Sequence, residues 1–190
     1  MILGIAHARG LHGVFGKSPN GTLPLWSEVL FFPLLAFTTA VWYLIRWISP
    51  EAPYNRVTDN VFVGRRLLSI ELHETYDNFV DLTAEFSEPR ALREKGSYCT
   101  FPILDGSAPE AKALHDAIEK LRPGQTFIHC AQGHGRTGMF AAALLLKSGS
   151  AYSIEEAMRM LVEARPGIRL SKCQQRCLRQ FAEQYATRLQ

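Results

Sequence analysis

The chain has 190 residues, 47% of them apolar, and a formal net charge of +3. This suits one globular domain of roughly 130–140 residues with an N-terminal appendage, since most domains fall near that size. The small net charge does not favour a nucleic-acid-binding protein. The four cysteines form no pair of C-x2-C motifs, which argues against a zinc site. We find no other metal-ligand cluster in the sequence, and we expect no cofactor.

Residues 1–24 are predicted to be an N-terminal tail, because their five glycines make poor helix or strand material. Within them, Gly16-Lys17-Ser18 resembles the end of a nucleotide-binding loop. That loop needs a glycine where this chain has Leu11, so we reject the motif. Asn20-Gly21-Thr22 fits a glycosylation acceptor, but Asn-Gly is also a turn dipeptide, and we predict a turn.

The most apolar stretch runs from residue 25 to residue 48, and no charged residue occurs between Val29 and Ile45. A helix needs about 20 residues to cross the hydrocarbon core of a bilayer, so this stretch is just long enough. It also contains aromatic residues suited to the membrane interface, namely Trp26, Trp42, Tyr43 and Trp47. The sequence therefore predicts a single membrane span. A helix that lies on the membrane or packs against a partner is one alternative, and a signal segment or a core element is another.

Basic residues are distributed unevenly around this stretch. Arg9 and Lys17 precede it, whereas its end and the residues after it carry Arg46, Arg56, Arg65 and Arg66. Cytoplasmic flanks of membrane helices are enriched in such residues. We therefore expect a single-pass membrane protein whose C-terminal part is cytoplasmic, with a peripheral membrane or cytoplasmic protein as the alternative.

Residues 49–60 are predicted to be a linker, since they combine two prolines with polar turn residues. The globular domain is then expected over residues 61–190. Its predicted strands are 61–63, 78–82, 98–103 and 126–128, and its main predicted helices are 109–121, 139–147, 154–163 and 171–189. Strands that alternate with helices predict an α/β fold in which helices flank a central, mainly parallel sheet.

The stretch from Thr126 to Met139 reads TFIHCAQGHGRTGM. It passes from a predicted strand through a glycine-rich loop into a predicted helix, so Cys130 would end the strand and Arg136 would begin the helix. This order is typical of an anion-binding loop, where backbone N–H groups and the helix dipole face the ligand. Such a field favours a thiolate, and an arginine there can bind two phosphate oxygens at once.

His129 precedes Cys130, and Arg136-Thr137 follows it after five residues that include two glycines. This pattern resembles the signature loop of the cysteine-dependent protein tyrosine phosphatase superfamily, and the short chain is similar to its dual-specificity branch. The resemblance implies a phosphomonoesterase with a dual-specificity phosphatase-like fold that needs no metal. An ordinary strand–turn–helix segment with a chance cysteine is the alternative.

In such an enzyme Cys130 would attack phosphorus and carry the phosphoryl group as a thiophosphate. The phosphate oxygens would be bound by the loop N–H groups and the arginine guanidinium, that is by Ala131, Gln132, Gly133, His134, Gly135 and Arg136. Thr137 would donate its hydroxyl to the sulfur. His129 would hold the loop through hydrogen bonds, and a buried histidine without that role is the alternative.

The leaving oxygen needs a proton donor from another loop, and Asp105 is our candidate. It lies just past the strand 98–103, at a strand end that would face the ligand crevice of an open sheet. The resembled family places its acid aspartate on a loop in this position. Asp77 and Asp81 lie within or beside a strand and are weaker candidates. Gln174 matches a glutamine that related enzymes often carry, so we expect it to support the site.

The substrate class stays open at this point. A membrane-tethered phosphatase that acts on phosphorylated protein side chains is the first reading. The stretch VDLTAEF at 80–86 resembles the mitochondrial lipid-phosphatase branch, which dephosphorylates phosphatidylglycerophosphate, so a phospholipid headgroup is the alternative. The loop lacks the lysines of phosphoinositide phosphatases, which argues against highly phosphorylated inositol lipids. A phosphate-binding module without turnover is a minor alternative.

Overall fold

A computed structural model describes residues 13–72, 74–94 and 97–185 of the chain. Its centre is a five-stranded sheet with the order β1-β2-β5-β3-β4. The strands are β1 (Tyr54–Arg56), β2 (Val61–Arg65), β3 (Asn78–Thr83), β4 (Ser97–Ile103) and β5 (Thr126–Cys130). Strand β1 runs antiparallel to β2, and the other pairs of these strands are parallel. The predicted α/β fold with a mainly parallel sheet is therefore confirmed.

Seven α-helices are found among the described residues. They are α1 (Leu25–Leu30), α2 (Phe32–Ile48), α3 (Arg90–Arg93), α4 (Ala111–Glu119), α5 (Gly135–Lys147), α6 (Ile154–Ala164) and α7 (Lys172–Tyr185), with a short 3-10 helix at Ser69–Glu71. Helix α6 begins where the Ser153 hydroxyl accepts the Glu156 N–H at 3.1 Å. Helix α5 contacts α4, α6 and α7 as well as the sheet, so its alanine-rich run is buried nearly all round.

The sheet is covered on both faces, and every residue of its inner strands β2, β3 and β5 is buried. Val63 and Ile128 pack towards α5 on the helical face. On the other face lies an aromatic cluster that includes Phe62, Phe79 and Phe127, with the last two ring centroids 5.0 Å apart. Each fully buried phenylalanine contributes about 1.5–3 kcal/mol. This packing fixes β2, β3 and β5 side by side and so fixes the strand end that carries Cys130.

The predicted membrane span is not found. The chain turns at Phe31 between α1 and α2, and the longer helix, α2, has 17 residues. No helix in the described ranges is both long and apolar enough to cross a membrane. Helix α2 instead packs one side on the domain, where Trp42 is buried and Phe31 joins a small core with Phe15 and Leu104.

The residues predicted as tail and linker also contact the domain. Phe15 is buried, and the N–H of Leu23 donates to Ser87 Oγ at 2.9 Å. Lys17, from the rejected nucleotide-loop motif, extends into the interior and donates to Asp81 Oδ2 at 2.6 Å. The segment 49–60 contains β1, the edge strand of the sheet. Residues 1–12 of the predicted tail lie outside the described ranges.

Candidate active site

The floor of the site is the loop between β5 and α5. Cys130 ends β5 and is almost fully buried, and the N–H of Gly133 donates to its Sγ at 3.3 Å. Gly133 has a φ of 75°, and a Cβ there would lie 2.4 Å from the carbonyl oxygen of Gly64 on β2. Only glycine permits both the left-handed backbone and this close approach. The loop is therefore pressed against β2 in one fixed conformation.

Arg136 is buried at the start of α5, and its guanidinium is held by two neighbours. Its Nη1 and Nη2 each donate to a carboxylate oxygen of Glu85 at 2.8 Å, and Nη1 also donates to the carbonyl of Ile103 at 2.9 Å. Burial alone would lower the pKa of Arg136, but the Glu85 carboxylate raises it above its usual range, so the guanidinium stays charged. The bidentate pair fixes the plane of the fork.

Sequence reasoning missed Glu85 as a site residue. It lies in the VDLTAEF stretch, yet no spacing rule connects it to an arginine 51 positions later. Burial alone would raise the pKa of Glu85, but the charge of Arg136 lowers it, so Glu85 is an anion. The only sequence feature that could have indicated Glu85 is an acidic residue soon after a buried strand. That feature is too common to identify a site, because many surface loops have it.

Three consecutive loop carbonyls are held by donors from distant parts of the chain. Arg165 donates from Nη2 to the carbonyl of Gln132 at 3.0 Å and from Nε to that of Gly133 at 3.1 Å. The indole N–H of Trp42 donates to the carbonyl of Ala131 at 3.0 Å. Because the carbonyl and N–H of a peptide unit point in opposite directions, fixing each carbonyl also aims the next N–H of the loop.

Asp105 follows β4 and faces the same arginine. Its Oδ1 lies 3.2 Å from Arg136 Nη2, and its side chain is 86% exposed. The loop behind it is tied to α7, because Gln174 Nε2 donates to the carbonyl of Ser107 at 3.0 Å and Ser171 Oγ donates to that of Gly106, also at 3.0 Å. Gln174 therefore lies where a supporting residue is expected, against the loop that carries Asp105.

Two predicted side chains lie close to the loop without the expected contacts. Thr137 is fully buried, and its hydroxyl has no hydrogen-bond partner within the described part of the chain. His129 is fully buried between the rings of Phe79 and Phe127, with Nε2 3.9 Å from Asp81 Oδ1. Burial lowers the pKa of His129 to about 4, so the imidazole is neutral near pH 7.

A buried charge cluster lies behind the loop. Asp81, Glu88 and His129 each have one atom that could bind a metal ion, and these three atoms lie within 4.8 Å of one another. The sequence analysis did not predict that these three residues lie together. The Lys17 ammonium bonds Asp81 there and also the carbonyl of Thr83 at 2.8 Å. A cationic side chain of the protein therefore already compensates the Asp81 carboxylate.

The site opens into a cavity of about 550 Å³ with two kinds of lining. Its floor is polar and includes Cys130, Gln132, His134, Arg136, Glu85 and Asp105. One wall is apolar and consists mainly of side chains from α2, namely Leu34, Phe37, Val41, Trp42 and Ile45, together with Phe15. The cavity thus joins an anion-binding floor to a surface suited to hydrocarbon.

Two relatives with sequences similar to this chain are named putative tyrosine phosphatases. No model of a protein family matches. The putative tyrosine phosphatase 197R of Invertebrate iridescent virus 6 is 38% identical over 79 residues, which are 35% of this chain and 30% of the relative. The putative tyrosine phosphatase 067L of Invertebrate iridescent virus 3 is 32% identical over 78 residues, 35% of this chain and 32% of the relative. The matched stretch thus spans about a third of either viral relative.

Solved structures extend the similarity to most of the chain. Tk-PTP in its active form superposes with a TM-score of 0.62 at 24% identity, covering 70% of this chain and 97% of that one. PTPMT1 in complex with PI(5)P gives a TM-score of 0.62 at 17% identity, with the same coverage of 70% and 97%. At these identities the superpositions establish a shared fold.

Proposed function

We propose that this chain, a dual-specificity phosphatase-like member of the cysteine-dependent protein tyrosine phosphatase superfamily, hydrolyses phosphomonoesters through a cysteinyl-phosphate intermediate. One observation carries the proposal. The sulfur of Cys130, the fixed guanidinium of Arg136 and the exposed carboxyl of Asp105 line one cavity. A nucleophile, an anion clamp and a proton donor are the three groups that transfer of a phosphoryl group to sulfur requires.

In the first step the Cys130 thiolate attacks phosphorus and forms a sulfur–phosphorus bond. The bond from phosphorus to the ester oxygen breaks, and the protonated Asp105 carboxyl donates its proton to that leaving oxygen. Arg136 and the loop N–H groups bind the equatorial oxygens, on which charge spreads in the transition state. Glu85 keeps the guanidinium in the required plane, so little reorganisation is needed when the substrate arrives.

In the second step a water molecule attacks the thiophosphate. The Asp105 carboxylate accepts the proton of that water, the sulfur–phosphorus bond breaks, and inorganic phosphate leaves with the thiolate restored. We assign Thr137, whose hydroxyl has no partner among the described residues, as the donor to the departing sulfur. Gln174 and Arg165 have supporting roles. Gln174 holds the loop that carries Asp105, and Arg165 holds the phosphate loop.

The test uses two substitutions and aryl phosphates of graded leaving-group pKa. Cys130→Ser should abolish turnover, because a serine hydroxyl is not ionised at the working pH. Asp105→Asn should lower the rate roughly 100-fold or more for poor leaving groups and little for activated ones, since only the former need a proton. Cys99→Ser, at a cysteine in β4, is the control and should keep wild-type rates. Turnover that survives Cys130→Ser would end the proposal.

Two substrate classes follow from this site. A phosphorylated protein side chain is the first, in line with the names of the two viral relatives. An amphiphilic phosphomonoester, such as a phospholipid headgroup of the phosphatidylglycerophosphate type, is the second. The apolar wall of the cavity favours it, because Phe37 and Ile45 line the cavity and are also 66% and 39% exposed. A phosphate on the floor could thus continue into a hydrocarbon chain along α2.

The same feature supports contact with a lipid surface. Most large apolar side chains exposed on the described residues belong to α1 and α2, among them Leu30, Phe32, Phe37, Leu44 and Ile48. Amphipathic helices with such faces bind at bilayer interfaces. We therefore propose a peripheral membrane association through α1 and α2.

The two classes are separated by turnover of a phosphotyrosine peptide, a phosphothreonine peptide and phosphatidylglycerophosphate in vesicles. If the substrate is a lipid, Leu44→Asp should lower the ratio of vesicle to soluble aryl phosphate turnover roughly tenfold, because a charge would enter the lipid contact. Tyr152→Asp, at a 64% exposed position between α5 and α6, is the matched control. An unchanged ratio in Leu44→Asp, or turnover of the peptides alone, would exclude the lipid class.

A further inference from the structure

Trp42 differs from every other residue of α2. It is the one residue of that helix that is fully buried, with 1% of its surface exposed, although the helix exposes most of its apolar side chains. Its indole N–H donates to the carbonyl of Ala131, 89 positions later, at 3.0 Å. Ala131 directly follows Cys130. The helix therefore bonds to the first residue of the phosphate loop after the nucleophile.

The indole is held by charged groups around its ring. The guanidinium carbons of Arg46 and Arg66 lie 5.3 and 5.2 Å from the ring centroid. These distances are those of cation–π contacts. Arg66 is itself fixed, because its Nε donates to Glu88 at 3.0 Å and its backbone N–H donates to the same Ala131 carbonyl at 3.3 Å. The ring thus has little freedom to leave this carbonyl.

We propose that Trp42 is a positioning residue of the phosphate loop, and that α2 is in this way a working part of the catalytic centre. This inference builds on the proposed function. The indole bond fixes the peptide plane between Ala131 and Gln132, and so fixes the direction of the Gln132 N–H. That N–H is one of the donors assigned to the phosphate oxygens, and donors act only when aimed before the reaction begins.

The effect has a definite size and a definite kinetic form. Removing one hydrogen bond that aims a donor should cost roughly threefold to tenfold in rate, because a hydrogen bond contributes about one kcal/mol and Arg66 still holds the carbonyl. The loss should appear in kcat and in the affinity for oxyanions. The dependence on leaving-group pKa should not change, because Asp105 supplies that proton from another loop.

The experiment compares Trp42→Phe with Trp47→Phe in the full chain. The first substitution keeps an aromatic ring and removes the indole N–H, and the second does the same at a position that is 84% exposed. We measure kcat and KM with an aryl phosphate, the inhibition constant of tungstate, and the unfolding midpoint. Trp42→Phe should lower kcat and weaken tungstate inhibition by the factors above while remaining folded. Trp47→Phe should match the wild type.

A fluorescence titration tests the same contact without turnover. The chain has three tryptophans, so the double variant Trp26→Phe/Trp47→Phe leaves Trp42 alone. Its emission should shift when tungstate binds, because the loop contacts the indole. The inference would be overturned if Trp42→Phe kept the wild-type kcat and tungstate affinity. It would also be overturned if the emission of Trp42 did not change when tungstate binds. A wild-type chain that binds tungstate but turns over no phosphomonoester would refute the proposed function instead.

Discussion

Replacing Lys17 by methionine should destabilise the fold strongly, although the residue lies in a segment predicted to be a tail. The Lys17 ammonium and the Asp81 carboxylate are 2.6 Å apart, and their side chains are 1% and 0% exposed. Lys17 also donates to the carbonyl and the hydroxyl of Thr83 at 2.8 and 2.9 Å. Met fills a similar volume but leaves a buried carboxylate without its counter-charge.

Breaking a buried ion pair from one side costs about 3–5 kcal/mol. For a chain of this size that is a fall in the unfolding midpoint of roughly 6–20 °C. Urea unfolding and calorimetry would measure both quantities. Lys112→Met is the matched control, because Lys112 bonds Asp116 at the same 2.6 Å distance while both side chains are exposed. That substitution should produce no measurable change.

The pH dependence gives a second check on the same pair. Burial alone would raise the pKa of Asp81, but Lys17 holds it well below its usual range. In the wild type this contribution is present above about pH 4 and is lost as the pH falls below it. Without Lys17 burial prevails, so the deficit of Lys17→Met should be largest near neutral pH and should shrink in acid.

The double variant Lys17→Met/Asp81→Asn, which removes both charges, should recover part of the lost stability. A Lys17→Met variant as stable as Lys112→Met, or a deficit that grows in acid, would refute the reasoning.

Two further outcomes are expected. Glu85→Gln should lower kcat/KM roughly tenfold to 100-fold in a steady-state assay, because the Arg136 guanidinium loses its charged bidentate partner. Glu94→Gln, in the exposed pair with Arg90, is the control and should keep the wild-type kcat/KM. Equal kcat/KM values in the two variants would contradict this role of Glu85. Burial and the charge of Asp81 raise the pKa of Glu88 to about 8, so its contribution to stability is fullest below about pH 4.5 and falls as the pH rises towards 8. In urea unfolding, Glu88→Gln should therefore gain stability relative to the wild type over that range, and a constant difference would argue against the shift.

The strand–loop–helix segment around Cys130 and the α/β class of the fold could be predicted, because both depend on patterns of neighbouring residues in the sequence. A strand followed by glycines and a helix start is written in consecutive residues, and alternating strands and helices indicate a parallel sheet. Cys130 and Arg136 are six positions apart, so their proximity follows from the loop itself. Asp105 could be proposed because the carboxyl ends of parallel strands meet at one edge of the sheet.

The partners that hold the loop could not be predicted, because each comes from far away in the chain. Glu85, Arg165 and Trp42 contact the loop only after the whole fold has formed, and none lies in a motif that names its partner. The prediction of a membrane span over residues 25–48 fails for a related reason. A sequence shows that a helix is apolar, but it does not show that Phe31 interrupts it or that Trp42 packs on a domain.

The two glycines that meet between the loop and β2 limit how this site can diversify. A methyl group on Gly133 would strike the backbone of Gly64, and one on Gly64 would lie 2.6 Å from the carbonyl of Pro53. A chain with this architecture therefore has little room to change the loop beneath the cavity. New substrate preferences would arise in the sides of the cavity, from lining side chains of α2 such as Phe37 and Val41, because exchanges there leave Cys130, Arg136 and Asp105 in place.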